Sequence, residues 1–178
     1  GTASDGHNYI GAAIERGAVA IVCQHLPAEI NEAVTYIVVE DTNVAMAAMA
    51  AAFYDHPTKE LKLVGVTGTN GKTTTCFMIW HMLNQAGHKT GLMTTVAYGV
   101  KKLQPELGHM TTVDAFTLNK RIKEIADSGA EFLVLEVTSH ALAEFRTLGI
   151  PIEIAVFTNL THEHLDYHKT IARYRAAK

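Results

Sequence analysis

A run of small, hydroxylated and cationic residues in the middle of the chain has the composition of a phosphate-binding loop. It covers residues 65–74, of sequence GVTGTNGKTT. Its glycines allow backbone conformations that other residues avoid, so successive N–H groups can point at phosphate oxygens. Its lysine supplies a positive charge for a β- or γ-phosphate, and the next threonine has a hydroxyl suited to Mg²⁺. The residues predicted to bind a nucleotide are Gly68, Thr69, Asn70, Gly71, Lys72, Thr73 and Thr74.

The loop departs from the strict P-loop pattern at one position. That pattern has a glycine five residues before Gly71, where this chain has Val66, and Gly65 stands one step early. An ordinary tight turn between a strand and a helix is the alternative interpretation. An apolar run before the loop and a helical pattern after it favour phosphate binding. Alone, the loop indicates nucleotide phosphates and no particular reaction.

An acidic residue and a group of histidines could complete a metal-dependent site. Glu136 stands at the end of an apolar run, and ligands bind at the carboxyl ends of strands in open α/β sheets. A surface charge is the alternative for this glutamate. His162, His164 and His168 lie close together in one short segment. The alternative for each of them is the role that a lone histidine most often has, that of a hydrogen-bonded structural residue.

Alternating apolar runs and amphipathic stretches must position these residues. The predicted strands are 18–23, 35–39, 61–66, 89–96, 132–137 and 152–157, and the predicted helices are 9–17, 44–54, 72–85, 113–128 and 172–178. Residues 97–110 are predicted to be irregular. The apolar stripe of the fourth helix comprises Phe116, Leu118, Ile122 and Ile125. Strands alternating with helices predict an α/β fold with a mainly parallel sheet and right-handed crossovers.

Composition excludes several classes of function. The 178 residues carry a formal net charge of -3 and no basic cluster, which excludes a nucleic-acid partner. No apolar stretch approaches the roughly 18 residues of a membrane span, and there is no export signal, so a cytoplasmic protein without membrane insertion is expected. Cys23 and Cys76 lack the spacing of a metal or redox pair and are predicted to be buried core thiols. Met46 and Met49 are predicted to fill a core.

A proline and the two ends of the chain indicate the domain organisation. Pro57 ends a helical pattern, which predicts one α/β domain at 1–58 and a second at 59–178. The chain begins in a loop-like segment and ends in a helical pattern without a capping signal. A sequence cut at both ends is therefore expected.

Residues 67–74 resemble the ATP loop of the Mur ligases and of folylpolyglutamate synthetase, in which the shifted glycine is usual. Three more segments resemble the Mur branch that adds the third residue of the peptidoglycan precursor: residues 135–146, 157–168 and 174–178. The segment 4–22 is similar to the UDP-binding domain of that branch. The resemblance covers essentially the whole chain, in family order.

The resemblance implies roles for individual residues. Glu136 would share a Mg²⁺ ion with Thr73, and His164 would bind a second one, with Asp166 supporting it. Lys178 corresponds to a lysine that the family carries as a carbamate. The implied catalytic residues are Lys72, Glu136, His164 and Lys178, and the implied residues for the UDP-sugar substrate are Thr2, Ala3, Ser4, Thr111, Thr112, Thr138 and Arg146.

Some positions depart from the family pattern. Met110, Val113 and Thr138 differ from the usual residues, and Glu144 places a negative charge where the family usually has glutamine. These departures concern the UDP-sugar site and leave the ATP loop intact.

The activity implied is that of an ATP-dependent, Mg²⁺-using amide ligase. It would add meso-diaminopimelate or L-lysine to UDP-MurNAc-L-Ala-D-Glu through an acyl phosphate. The chain would comprise part of a UDP-binding domain and part of a P-loop domain, as a monomer, and would lack the domain that binds the amino acid. Another Mur or folylpolyglutamate-type ligase is one alternative, and a nucleotide-binding fragment without turnover is another.

Overall fold

The structure, a computed structural model, describes residues 5–106 and 111–178. Two units, residues 1–45 and 46–178, divide at Ala45, inside a helix. This division comes earlier in the chain than the predicted domain boundary after residue 58, which stays a prediction. In the part of the chain that the structure describes, every helix is too short or too polar to cross a membrane.

The first unit contains a short helix and two parallel strands. A 3₁₀-helix, Gly6–Tyr9, leads into α1 (Ile10–Glu15), which is followed by β1 (Ala20–Cys23) and β2 (Thr35–Val38). Ile10, Ile21 and Cys23 form its buried centre. The predicted helix and the two strands are confirmed, and Cys23 is a core thiol as expected, but β2 is mostly exposed rather than buried.

Helix α2 (Thr42–Phe53) buries alanines rather than methionines. The Asp41 carboxylate accepts a hydrogen bond from the Asn43 N–H and begins the helix. Ala47 and Ala50 are 1% and 0% exposed, whereas Met46 and Met49 are 44% and 48% exposed. The prediction that these methionines fill a core is wrong, because the small alanines occupy the packed face.

The second unit is built on a six-stranded sheet in the order β6-β5-β4-β7-β3-β8. Neighbours among β4, β7, β3 and β8 run parallel, whereas β5 and β6 are antiparallel. The predicted α/β fold with a mainly parallel sheet flanked by helices is confirmed. The elements are β3 (Lys62–Thr67), α3 (Lys72–Gln85), β4 (Thr90–Met93), β5 (Ala97–Gly99), β6 (Leu103–Pro105), α4 (Ala115–Asp127), β7 (Phe132–Glu136), α5 (Ser139–Ala143), β8 (Ile154–Phe157), α6 (Leu165–His168) and α7 (Ile171–Ala177).

A hairpin replaces part of the segment that was predicted to be irregular. Strands β5 and β6 pair between residues 97 and 105, and the guanidinium of Arg121 lies over the Tyr98 ring at 4.0 Å. Three-residue strands are too short to show the alternation that identifies a strand. Residues 107–110, including Met110, lie outside the described residues.

Alternating side chains on the central strands create two hydrophobic layers. Leu63 and Leu133 pack with α4 on one face, and Val64 and Val134 pack with α3 on the other. Cys76 is fully buried in the second layer, as predicted. The layers fix both helices against the sheet.

Most of the predicted stripe of α4 is buried. Leu118, Ile122 and Ile125 are at most 3% exposed, but Phe116 is 42% exposed. Phe116, the fourth residue of the predicted stripe, instead contacts the rings of Phe53 and Tyr54.

Replacing Leu133 with alanine is expected to destabilise the chain by about 2–5 kcal/mol, because the leucine is fully buried in the central strand. Urea unfolding of the 178-residue chain measures the change. Ile154→Ala is the matched control, since Ile154 is 53% exposed and its loss is expected to cost less than about 1 kcal/mol. Equal costs for the two variants would contradict the assignment of the core.

Candidate active site

The phosphate loop follows β3 and owes its shape to two glycines with positive φ. Gly68 has φ +141°, and a Cβ there would collide with the Thr158 hydroxyl, so this position requires glycine for conformation and for space. Gly71 has φ +80° and directly precedes α3. Helix α3 begins at Lys72, as the sequence predicts.

The N–H groups of the loop divide into two sets. Thr69 N donates to Asn159 O at 2.9 Å, and Asn70 N donates to Asn159 Oδ1 at 3.0 Å. The first N–H groups of a helix have no partner within it, and Gly71 provides no side-chain cap for α3. The donors that remain for an anion are therefore those at the start of α3, where the helix dipole also favours negative charge.

Lys72 lies over the loop that precedes it. Its Nζ donates to Thr69 O at 2.7 Å and to Gly68 O at 3.2 Å. The ammonium group is therefore held beside the N-terminus of α3. Its charge and the positive end of the helix dipole both favour an anion at this place.

The next residue joins the loop to the end of β7. Thr73 Oγ1 donates to Glu136 Oε2 at 2.8 Å, and the same carboxylate oxygen accepts from Thr95 N at 3.2 Å. Glu136 is 2% exposed, so it is not the surface charge of the alternative interpretation. A hydroxyl and a carboxylate side by side are oxygen donors of the kind that Mg²⁺ prefers, so these residues fit such an ion.

Glu136 also lines a cleft of about 360 Å³ together with residues from four other segments. The lining residues are Lys72, Thr95, Thr111, Glu136, Thr138, His140, Arg146 and His164. The predicted acid, imidazole and lysine therefore line the same cleft.

The three histidines near the C-terminus have different environments. His164 has a left-handed backbone with φ +55° and lies in the cleft, whereas His162 is exposed. His168 is 6% exposed, and its Nε2 lies 2.9 Å from Ser139 Oγ. His168 is therefore a hydrogen-bonded structural residue, and burial lowers its pKa.

His140 is a cleft residue that the sequence reasoning missed. Its ring centroid lies 4.8 Å from that of His164, in an edge-to-face arrangement. Burial and the neighbouring His164 lower the pKa of His140, which favours the neutral imidazole. Its place within residues 135–146, two residues after Thr138, is the signal in the sequence that could have identified it. Asp166 is exposed, and its proposed support of His164 stays a prediction.

The residues expected to contact a UDP-sugar substrate are partly in the cleft. Thr111, Thr138 and Arg146 line it, whereas Thr112 is buried and its hydroxyl donates to Glu136 O at 3.1 Å. Thr2, Ala3 and Ser4 lie outside the described residues.

Glu144 is paired with the arginine of the cleft. Arg146 Nε donates to Glu144 Oε2 at 2.9 Å, Arg146 Nη1 donates to Thr112 O at 2.6 Å, and Tyr167 OH donates to Glu144 Oε1 at 3.4 Å. Glu144, which departs from the family pattern, thus fixes the plane of the Arg146 guanidinium.

Helix α7 brings Lys178 back to the phosphate loop. Its Nζ donates to Gly68 O at 2.8 Å and to Thr67 Oγ1 at 3.1 Å. Burial, followed by the nearby positive charge of Lys72, lowers the pKa of Lys178 to about 8. Lys178 is therefore a site residue by position and not a solvated lysine on a helix surface.

Comparisons with known proteins agree with this geometry. The chain is 47% identical, over its whole length, to UDP-N-acetylmuramoyl-L-alanyl-D-glutamate--2,6-diaminopimelate ligase of Phocaeicola vulgatus, and 47% identical over 98% of its length to the enzyme of the same name from Geobacillus thermodenitrificans. The chain spans 37% and 35% of the lengths of these two relatives.

Solved structures show the same fold. A structure of UDP-N-acetylmuramoyl-L-alanyl-D-glutamate--2,6-diaminopimelate ligase superposes with a TM-score of 0.79 and 31% identity, covering 96% of this chain and 34% of that one. MurF ligase from Thermotoga maritima, solved in complex with ADP, shares the fold with a TM-score of 0.57 and 24% identity, over 99% of this chain and 37% of that one.

A family profile adds to these pairwise similarities. The Mur ligase middle domain matches residues 66–178, which include the phosphate loop, Glu136, His164 and Lys178. Because this match covers more than half of the sequence, the chain belongs to the Mur ligase family.

Proposed function

We propose that the full-length gene product is an ATP-dependent ligase that joins 2,6-diaminopimelate to UDP-MurNAc-L-Ala-D-Glu in peptidoglycan synthesis. The observation that carries this proposal is the meeting of Lys72, Glu136, Arg146 and His164 around one cleft. The names of the similar enzymes support the substrate and the added residue. A cytoplasmic location and a monomeric state stay predictions.

The reaction would form an acyl phosphate and then an amide. A carboxylate oxygen of the UDP-sugar peptide attacks the γ-phosphorus of ATP, the bond from that phosphorus to the β-γ bridging oxygen breaks, and ADP leaves. The amine of the diamino acid then attacks the acyl carbon, phosphate leaves with the electron pair of the C–O bond, and the amine loses a proton.

The chain contributes charge and position to the first step. Phosphoryl transfer to a carboxylate brings negative groups together, so cations and oriented N–H groups are needed more than a nucleophile. Lys72 and the start of α3 would hold the phosphates of ATP. Arg146, whose plane Glu144 fixes, would hold a carboxylate or phosphate of the second substrate.

The oxygen donors of Thr73 and Glu136 suit one Mg²⁺ ion, and the resemblance to the family implies a second ion near His164. Thr73 and Glu136 would hold one, and His164 would contribute to the other. Bound Mg²⁺ would neutralise charge on the phosphate oxygens. In the protein itself, the hydroxyl of Thr73 keeps the buried Glu136 carboxylate oriented toward the loop.

Lys178 has the properties of an amine that can be modified. Carbon dioxide reacts with the neutral form of an amine, and a pKa of about 8 leaves part of Lys178 neutral near physiological pH. The resulting carbamate would be an anionic oxygen ligand close to Gly68. This role rests on the resemblance to the family and on the position of Lys178.

Release of ADP from ATP tests the proposed reaction. The full-length gene product is expected to release ADP when UDP-MurNAc-L-Ala-D-Glu and 2,6-diaminopimelate are both present. Replacing diaminopimelate with L-lysine tests which amino acid is added. The same assay on the 178-residue chain tests the alternative that this chain binds a nucleotide without turnover. Stimulation by folate and glutamate instead would overturn the proposal.

Lys72→Ala is expected to lower ADP release by at least about 100-fold, because it removes a charge directed at the transferred phosphate. Steady-state assays of the full-length gene product measure the loss. The control is Lys101→Ala, which removes an equal charge from an exposed site. Unchanged turnover of Lys72→Ala would refute the role of the loop.

Glu136→Gln is expected to weaken Mn²⁺ binding in the presence of ATP by about tenfold or more. A factor of ten corresponds to about 1.4 kcal/mol of binding free energy. Glutamine keeps an oxygen acceptor for Thr73 but loses the negative charge. Electron paramagnetic resonance of free Mn²⁺ gives the affinity. Glu153→Gln, at an exposed position, should bind Mn²⁺ like the unmodified protein. Equal affinities would remove Glu136 from the metal site.

Lys178 is expected to titrate near pH 8, whereas an ordinary lysine titrates near about 10.4. Its low pKa means that more of the amine is neutral and reactive at any given pH. Competitive labelling with acetic anhydride over a pH series, in buffer free of carbon dioxide, gives the midpoint. Lys72→Ala should raise the midpoint, because it removes a neighbouring positive charge. A midpoint at the ordinary value would contradict the buried placement.

A further inference from the structure

The phosphate loop is held by a segment that lies about 90 residues further along the chain. Residues 158–161 follow β8, whose neighbour in the sheet is β3, so this segment and the loop leave the sheet side by side. We call residues 158–161 the clasp. All of its contacts with the loop lie within the second unit.

Asn159 is the centre of the clasp. Its Oδ1 accepts from Asn70 N at 3.0 Å, and its Nδ2 donates to Asn70 O at 3.0 Å. Its backbone oxygen also accepts from Thr69 N at 2.9 Å. One residue therefore contacts three backbone groups of the loop.

Two threonines of the clasp complete the set of contacts. Thr158 Oγ1 donates to Asn70 O at 2.8 Å, and Thr161 N donates to Thr69 Oγ1 at 2.9 Å. The Thr69 hydroxyl also lies 3.0 Å from the buried Tyr174 OH. The loop thus has defined partners on the side of β8.

The chemistry of the asparagine side chain explains its position. A primary amide offers a donor and an acceptor in one plane, like a peptide group, and can pair with the N–H and the C=O of one residue. Aspartate lacks the donor, and alanine lacks both groups. The reciprocal pair with Asn70 fixes the orientation of the two peptide groups on either side of that residue.

This fixation affects which donors are presented to a nucleotide. Because Thr69 N and Asn70 N are bonded to Asn159, they do not have to be ordered or desolvated by a phosphate. A loop that is already ordered loses less conformational freedom on binding, which strengthens binding without any new contact.

We infer that Asn159 is a positioning residue for the nucleotide, acting through Asn70 and Thr69 rather than by touching the phosphates. This inference rests on the proposed function, because it assumes that the loop binds ATP. It adds a determinant of nucleotide affinity that lies outside the loop, on the segment that leads to His164.

Asn159→Ala is expected to weaken ADP binding to the full-length gene product by about tenfold, since Asn70 loses both contacts with the amide side chain while the loop keeps Lys72 and the start of α3. Asn159→Asp is expected to bind more weakly still, because it adds a negative charge beside the phosphates. Isothermal titration calorimetry measures the affinities. The matched control is Asn8→Ala, at an exposed position of the first unit.

Amide hydrogen exchange separates positioning from a general loss of stability. In Asn159→Ala, exchange at Asn70 should accelerate because its N–H loses its acceptor, whereas exchange at the central strand residues Leu133 and Val134 should stay unchanged. Faster exchange throughout the sheet would show a structural role and overturn the inference. Unchanged ADP affinity together with faster exchange in the loop would also overturn it.

Lys72→Ala, measured in parallel, distinguishes a failure of the role of Asn159 from a failure of the proposed function. If Lys72→Ala weakens ADP binding and Asn159→Ala does not, only the role of Asn159 fails. If the unmodified gene product binds no ADP, the proposed function and the inference fall together.

Discussion

The hydrogen bond between Thr73 and Glu136 is the contact on which the rest of the site depends. It joins the first turn of α3 to the carboxyl end of β7, and it exists because β3 and β7 are neighbours with Val66 opposite Glu136. A carboxylate that is 2% exposed is costly unless it has partners. The hydroxyl of Thr73 and the N–H of Thr95 supply them, so the buried acid and the phosphate loop stabilise each other's positions.

Strand order determines which segments can take part. β3 lies between β7 and β8, so the loop after β3 is flanked by Glu136 on one side and by Asn159 on the other. The sequence predicted most of the strands, and it predicted α3 at its observed bounds, because periodicity and glycine positions are local signals. It could not predict which strands are neighbours. It also missed the β5–β6 hairpin, whose strands are too short to show a period.

The candidate site was predictable where residue type and spacing carry the chemistry. Lys72 and Thr73 follow from the loop pattern, and Glu136 follows from the end of an apolar run. His140, Asn159 and the partner of Glu144 were not predictable, because their roles arise from contacts between segments that are remote in sequence. The exposure of Met46 and Phe116 has a similar cause: composition shows that a helix has apolar residues, but packing decides which of them are buried.

The placement of positive charge explains how a site for several anions can exist before any anion binds. Arg146 is balanced by Glu144, whereas Lys72 and Lys178 both donate to Gly68 O, and the charge of Lys72 disfavours the charged form of Lys178. The low pKa of Lys178 is caused first by its burial and then by the charge of Lys72. An anion on the loop would relieve the repulsion and raise this pKa, whereas a carbamate would remove the positive charge altogether. Nucleotide binding and carbamate formation would therefore both reduce the repulsion between Lys72 and Lys178. Because Lys178 lies close to Lys72, its protonation responds to both events.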